Sequence, residues 1–170
     1  LHAQYFFLLL QCTHSNYFFS KMDIQNTIDY YLKSAWHGIT RMYNQIALEY
    51  DSTQTTGYVL INIAKEGTFV TKIAPLMGME PTSLSRVLKK MEDKGLIYRE
   101  PDLQDKRAVK IFLTPEGVAK RKIAKAVIVE FNEYLMKSVS KEDIANYQRI
   151  SQEINNVAKE FINNKKNCKN

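Results

Sequence analysis

From residue 23 onward the apolar positions change period several times, and each change marks an element. Ile28, Tyr31, Leu32, Ala35, Ile39, Met42, Tyr43 and Ile46 recur at three-and-four spacing, which predicts one long amphipathic helix over residues 23–50. Ser52 or Thr53 can cap a second helix running to about residue 65, with Gly67 beyond it and Phe69 opening a minimal strand. A short helix over residues 71–78 ends at Gly78, and only Met79 and Glu80 separate it from Pro81, which suits a first helical position. In the helix that follows, Leu84, Val87, Leu88 and Met91 share one face, and Gly95 suits the left-handed residue just past its end. The period then drops to two. Val109, Ile111 and Leu113 alternate with Lys110 and Phe112, and residues 96–99 supply a pairing strand across the polar tip at 101–107. Pro115 opens a long helix through Val118, Ile123, Val127, Phe131 and Leu135; Ile144, Tyr147, Ile154, Val157 and Phe161 define the last, over residues 141–161.

Two short helices joined by so tight a Gly-containing turn must cross steeply, which leaves the second exposed as a recognition helix is. The fold this predicts is mainly α with a small β-hairpin wing. A winged helix-turn-helix covers about residues 52–114, and terminal helices at about 23–50 and 115–163 flank it within one domain spanning residues 22–163. The outward face of the 81–93 helix carries Thr82, Arg86 and Lys89, with Ser83, Ser85 and Lys90 beside it. That face has the chemistry of groove reading: hydroxyls and Lys donate to phosphates, and Arg pairs with both acceptors of a guanine edge. An ordinary amphipathic helix with a solvated charged face would show the same pattern, so the neighbouring elements decide. Thr71 and Lys72, at the start of the preceding helix, join Thr82, Ser83, Ser85, Arg86 and Lys89 as candidate DNA contacts. In the wing, Lys106 and Arg107 complete the set. Asp102 and Asp105 would be repelled by phosphate, and they make sense if one of them holds Arg107 or Lys106 in place and spares that side chain an entropic loss on binding.

The pattern D-x-x-D-x-R followed by L-T-x-x-G, here Asp102, Asp105, Arg107, Leu113, Thr114 and Gly117, resembles the MarR family of winged-helix transcriptional regulators, as does the run KGLIYR at residues 94–99. The likeness extends less sharply over residues 22–162. It implies a homodimer with two winged lobes on double-stranded DNA at a pseudo-palindromic operator, and a repressor released by a small-molecule effector. It also implies that Arg107 enters the minor groove, and that the first and last helices pair across a two-fold axis. Family pockets lie between dimer helices and winged unit, which makes Trp36, Tyr43 and Tyr58 candidates to line one; aromatics at helical spacing also serve simply as core.

Charge and composition narrow the remaining choices. The formal net charge is +6, and residues 71–110 hold nine Lys and Arg against six Asp and Glu, so half of the excess sits in the proposed DNA-binding unit. The other half lies in residues 159–170, whose last seven, 164–170, read as a frayed basic tail. Cys12 and Cys168 have no CxxC partner, which disfavours a metal site or structural disulfide and fits a reducing cytoplasm. Two of the three histidines lie before residue 22 and His37 stands alone; no phosphate loop, zinc spacing or nucleophile elbow is present, so neither an enzyme nor a cofactor is expected. A winged helix used only for protein contacts would place apolar anchors where the hydroxyl and basic residues stand.

Residues 1–21 contain no acid and one Lys, and their apolar run at 5–10 is far too short to span a bilayer. Met22 opens the stretch of globular character, which makes the head an upstream-translated or non-native segment, with a dimer-packing arm as the alternative. Deleting residues 1–21 is therefore expected to leave the melting temperature and DNA affinity nearly unchanged. Thermal melts and gel shifts of the two forms check this, and loss of the dimer would identify the head as an arm.

Overall fold

A computed structural model describes residues 23–102, 105 and 108–167. Among them the chain forms helices α1 (Ile28–Leu48), α2 (Gln54–Asn62), α3 (Val70–Met77), α4 (Pro81–Asp93), α5 (Pro115–Ser138) and α6 (Lys141–Asn167). Three strands, β1 (Thr68–Phe69), β2 (Ile97–Pro101) and β3 (Val109–Leu113), make one antiparallel sheet in the order β1-β3-β2. This is the mainly helical, winged architecture the periodicity predicts. Two compact units divide between Gln54 and Thr55.

In the first unit the predicted 23–50 helix is interrupted at its start. Thr27 takes the N-cap: its hydroxyl accepts from the Tyr30 N–H and donates to the Ile24 carbonyl, so Ile24–Asn26 form a separate 3-10 turn and α1 begins at Ile28. The helix ends at Leu48, and the turn beyond it places Asp51 at φ 48°, a left-handed conformation that short polar side chains tolerate. The Asn44 carboxamide accepts from the Gln54 N–H at 3.0 Å, satisfying one of the donors that open α2.

In the second unit α2 stops at Asn62, short of residue 65. The Thr68 hydroxyl accepts from the Ala64 N–H and donates to the Asn62 carbonyl, so a side chain takes bonds that another helical turn would have made. Val59, Leu60 and Ile63 then pack with Ile73, Ala74, Leu84, Leu88, Met91, Leu96, Ile97 and Ile111 in one buried cluster. Leu84 and Leu88 are completely enclosed, as the three-and-four spacing predicts, and each such side chain contributes about 1.5–3 kcal/mol on burial. Gly78 adopts φ 57° and ends α3; Gly95 at φ 67° turns the chain from α4 into β2. Ile97 pairs with Leu113 and Pro101 with Val109, which puts Ile111 on the core side and stacks Tyr98 on Phe112 across the other face.

The Leu-Thr-x-x-Gly sequence acts as a joint. Thr114 caps α5 by accepting from the Gly117 N–H at 3.0 Å, and its hydroxyl donates to the Gly95 carbonyl at 2.6 Å. A Cβ at Gly117 would run into the Leu96 carbonyl oxygen, so only glycine lets α5 start against the exit of α4. Further along α5, the Arg121 guanidinium donates to the Ile63 carbonyl at 2.9 Å, tying that helix to the end of α2.

The terminal helices leave their apolar stripes uncovered. Val118, Val129, Tyr134, Leu135 and Met136 of α5 and Tyr147, Ile150, Val157, Phe161 and Ile162 of α6 are exposed, and α6 buries no residue. The last helix also runs further than its apolar spacing predicts. Residues 164–167, read from sequence as frayed tail, continue as helix, with Lys165 Nζ 5.6 Å from the Phe161 ring one turn back and two lysines placed favourably at the C-terminal end of the helix dipole. No described helix is long and apolar enough to cross a membrane.

Two glycines separate backbone need from backbone freedom. Gly117→Ala is expected to lose about 2–3 kcal/mol of stability, because the new methyl meets rigid backbone. Gly38→Ala, in α1 with nothing within 4 Å of the added carbon, should be neutral or stabilising by up to about 1 kcal/mol. Urea unfolding of both variants checks the pair.

Candidate nucleic-acid interface

Helix α4 divides into two faces. Leu84, Leu88 and Met91 are buried, while Thr82, Ser83, Ser85, Arg86, Lys89 and Lys90 are exposed. Glu80 occupies the N-cap without a capping bond from its side chain, so the first-turn N–H donors remain uncapped and add a partial positive charge beside Thr82 and Ser83. Arg86 has no hydrogen-bonding or ionic partner among the described residues. The other candidates carry local ties. Ser85 Oγ donates to the Pro81 carbonyl at 2.9 Å, which commits its proton and leaves the oxygen as an acceptor. Lys89 Nζ lies 3.4 Å from Asp93 Oδ1, an exposed pair one turn apart worth only about 0.3–0.5 kcal/mol and readily exchanged for a phosphate.

Helix α3 brings Thr71 and Lys72 to the surface at its own start, where Phe69 is the N-cap residue and no side chain caps the turn. Lys72 Nζ lies 5.6 Å from the centroid of the Phe69 ring. Each of the two helices thus has a start without a side-chain cap, with exposed hydroxyl and basic side chains beside it.

Beyond β2 the chain turns through the wing tip. Lys106 and Arg107 fall outside the described residues, so their assigned roles rest on the sequence. The two aspartates are described, and they differ. Asp102 Oδ1 accepts from the Asp105 N–H at 3.1 Å, and Asp102 Oδ2 meets Lys110 Nζ at 2.7 Å. Asp105 contributes backbone to the same turn: its carbonyl accepts from the Ala108 N–H at 2.8 Å, and the Ala108 carbonyl accepts from the Asp102 N–H at 2.9 Å. Sequence reasoning did not single out Lys110 as anything but a strand residue. It also missed the ion pair of Arg99 Nε with Glu92 Oε2 at 3.1 Å, which ties β2 back to the last turn of α4. The β2–β3 register, in which Lys110 lies opposite Glu100, bears on the first contact, whereas Arg99 and Glu92 meet across the short α4–β2 connection.

The three candidate pocket residues have different surroundings. Tyr43 on α1 is buried, whereas Trp36, two turns earlier, is 52% exposed and so is not a core residue. Tyr58 on α2 is partly buried, and desolvation pushes its phenol above the usual range. No group of three or more His, Cys, Asp or Glu that could hold a metal occurs among the described residues.

Comparison with known proteins agrees with this geometry. The model of the MarR family matches residues 53–109, which contain the helix-turn-helix and most of the wing. The HTH-type transcriptional regulator SarZ of Staphylococcus aureus (strain MRSA252) is 30% identical over 130 residues, covering 75% of this chain and 84% of the relative. Among solved structures, S. aureus MepR in complex with DNA superposes with a TM-score of 0.72 at 23% identity, over 78% of this chain and 98% of that one. Streptococcus pneumoniae FabT in complex with DNA gives 0.66 at 19% identity, over 79% and 96%. With a helix-turn-helix, a hairpin wing and a curated relative of this extent, the chain belongs to the MarR family of winged-helix transcriptional regulators.

Proposed function

We propose that the protein is a homodimeric repressor that binds double-stranded DNA at a pseudo-palindromic operator in the cytoplasm and is released by a small-molecule effector. The observation that carries the DNA reading is the division of α4: an enclosed apolar face holds the helix in the core, while its opposite face offers Thr82, Ser83, Ser85, Arg86 and Lys89 next to an uncapped N-terminus. Such a start is a ready phosphate site, and the side chains beyond it reach base edges. Thr71 and Lys72 are assigned to phosphate on the neighbouring helix start. Lys106 and Arg107 are assigned to the wing's groove contact, with Asp102 and Asp105 shaping the turn that carries them. Relatives that are transcriptional regulators favour a binding protein over an enzyme.

The dimer reading rests on exposure. Part of the apolar surface of the helices at about residues 23–50 and 115–163, including Ile28, Tyr31, Trp36, Tyr134, Tyr147, Val157 and Phe161, is left in water by the single chain, and pairing across a two-fold axis would bury it. Effector release follows the family pattern, with Trp36, Tyr43 and Tyr58 as candidate contacts.

Two measurements test this reading. A nuclease footprint should show two half-sites spaced by roughly 10 base pairs, with affinity falling steeply as salt rises, because lysines and arginines displace counterions from phosphate. Protection of a single half-site, or affinity insensitive to salt, contradicts it. Substitutions then separate the reading elements. Arg107→Ala should weaken binding to operator and random duplex alike and reduce the salt slope by about one unit. Arg86→Ala should cost about 1–3 kcal/mol on the operator and less on random DNA. Equal losses for Arg86→Ala on both duplexes would reassign that residue to the backbone.

A further inference from the structure

Lys110 sits on the central strand β3, opposite Phe69 of β1 on one side and Glu100 of β2 on the other. Its ammonium reaches past Glu100 to Asp102, and it lies 4.7 Å from the centroid of the Phe69 ring. Both ends of this contact are constrained. Phe69 is the residue from which α3 starts, so its ring belongs to the helix-turn-helix; Asp102 belongs to the wing tip, where its other oxygen holds the Asp105 N–H. The pair is also well enclosed, with the Asp102 side chain 11% and the Lys110 side chain 29% exposed, in contrast to the open Lys89–Asp93 pair. Separating such partners breaks a partly desolvated contact, which gives it a mechanical consequence that an open surface pair lacks.

We propose that Lys110 is a positioning residue for the wing: the contact of its ammonium with Asp102, above the Phe69 ring, fixes the wing-tip turn relative to the helix-turn-helix. This rests on the DNA-binding reading for its use, though the clamp can be tested without DNA. Removing the charge takes the Lys110 contact away from Asp102, and the Asp102–Asp105 and Asp105–Ala108 bonds of the turn lose that tie to β3. The turn then samples a wider range of orientations at Asp105 and Ala108, and binding must restore the lost order. A lysine that only touched phosphate would behave otherwise, because Asp102 would compete with the phosphate for it.

The test uses the full chain with Lys110→Met, which keeps the stem over Phe69 and removes the charge; Lys110→Arg, which keeps the charge; and Asp102→Asn. Amide hydrogen exchange at Asp105 and Ala108, followed by NMR without DNA, should speed up severalfold in Lys110→Met and stay near the native rate in Lys110→Arg. Unchanged exchange in Lys110→Met overturns the clamp, whatever the protein does with DNA. On duplex DNA, Lys110→Met and Asp102→Asn should each weaken binding by about tenfold, and in an Arg107→Ala background Lys110→Met should have almost no further effect, as expected for residues acting as one unit. Independent, multiplying losses for Lys110→Met and Arg107→Ala, or tighter binding by Asp102→Asn, would make Lys110 an ordinary phosphate contact and overturn the proposal. A native protein that fails to bind DNA would instead remove the functional reading, and the exchange rates alone would then decide whether the clamp exists.

Discussion

The arrangement of the winged unit depends on the close approach of Gly117 to the Leu96 carbonyl. Three elements meet there: the exit of α4 through Gly95, the start of β2 and the first turn of α5. The Thr114 hydroxyl uses both its hydrogen-bonding roles to lock the junction, donating to the Gly95 carbonyl and accepting from the Gly117 N–H. Neither bond is large alone, at about 1 kcal/mol net, but backbone that cannot approach cannot be bonded at all. The glycine is therefore the constraint and the threonine exploits it. Because β3 ends at Leu113, one residue before the lock, the same contact fixes where the wing leaves the core relative to α4.

Within that frame α4 separates stability from chemistry. Its buried Leu84, Leu88 and Met91 supply the energy that holds the helix, so the opposite face is free to carry groups that contribute little to folding. The ties on that face are weak by their exposure: the Lys89–Asp93 pair is open to solvent, and Ser85 bonds its own helix. A surface built this way can trade its internal contacts for those of a polyanion at small cost. The wing root follows the opposite logic. There Lys110 and Asp102 are enclosed, and exchange would leave a desolvated charge behind.

What was legible in the sequence was what local rules decide. The faces of α4, the glycine stop of α3, the proline starts of α4 and α5, and the alternation of β3 were all readable, since each follows from spacing or a single residue's conformational preference. Misjudged bounds came from side chains that compete with the backbone. Thr27 breaks the predicted first helix and Thr68 shortens the second, and neither effect has a period. Contacts between elements, Arg99 of β2 to Glu92 of α4 and Lys110 of β3 to Asp102, were illegible because spacing along one element does not say which side chains of another it meets. The same limit applied to Trp36, whose aromatic character suggested core or cleft while its surroundings leave half of it in water. The candidate DNA contacts on α3 and α4 could be placed from sequence because one face had to be buried, and that left the other by elimination. Lys106 and Arg107 admitted no such reasoning, since a hairpin tip has no buried face to define its opposite.

The terminal helices raise a problem of a different scale. A helix as long as α6, with no buried residue, gains little from tertiary packing, and helices in water are marginal when propensity is their main support. Tyr147, Val157, Phe161 and Ile162 nonetheless recur along it, and α5 adds Tyr134 and Met136. So much apolar surface is costly in an isolated chain and stabilising once covered, at about 25 cal/mol per Å² removed from water. In the proposed dimer a second copy would cover it, because a two-fold axis presents each stripe with a surface of its own composition. Under that arrangement the helices that bury the stripes would also set the distance between the two copies of α4. The tie of Arg121 to Ile63 then acquires a consequence beyond stability, since α5 belongs to the proposed dimer face and α2 to the core beneath the recognition helix. A change in how the long helices pack would reach α4 through rigid contacts, so the spacing of the two reading heads, and with it the preference for one half-site separation, would be a property of the dimer face.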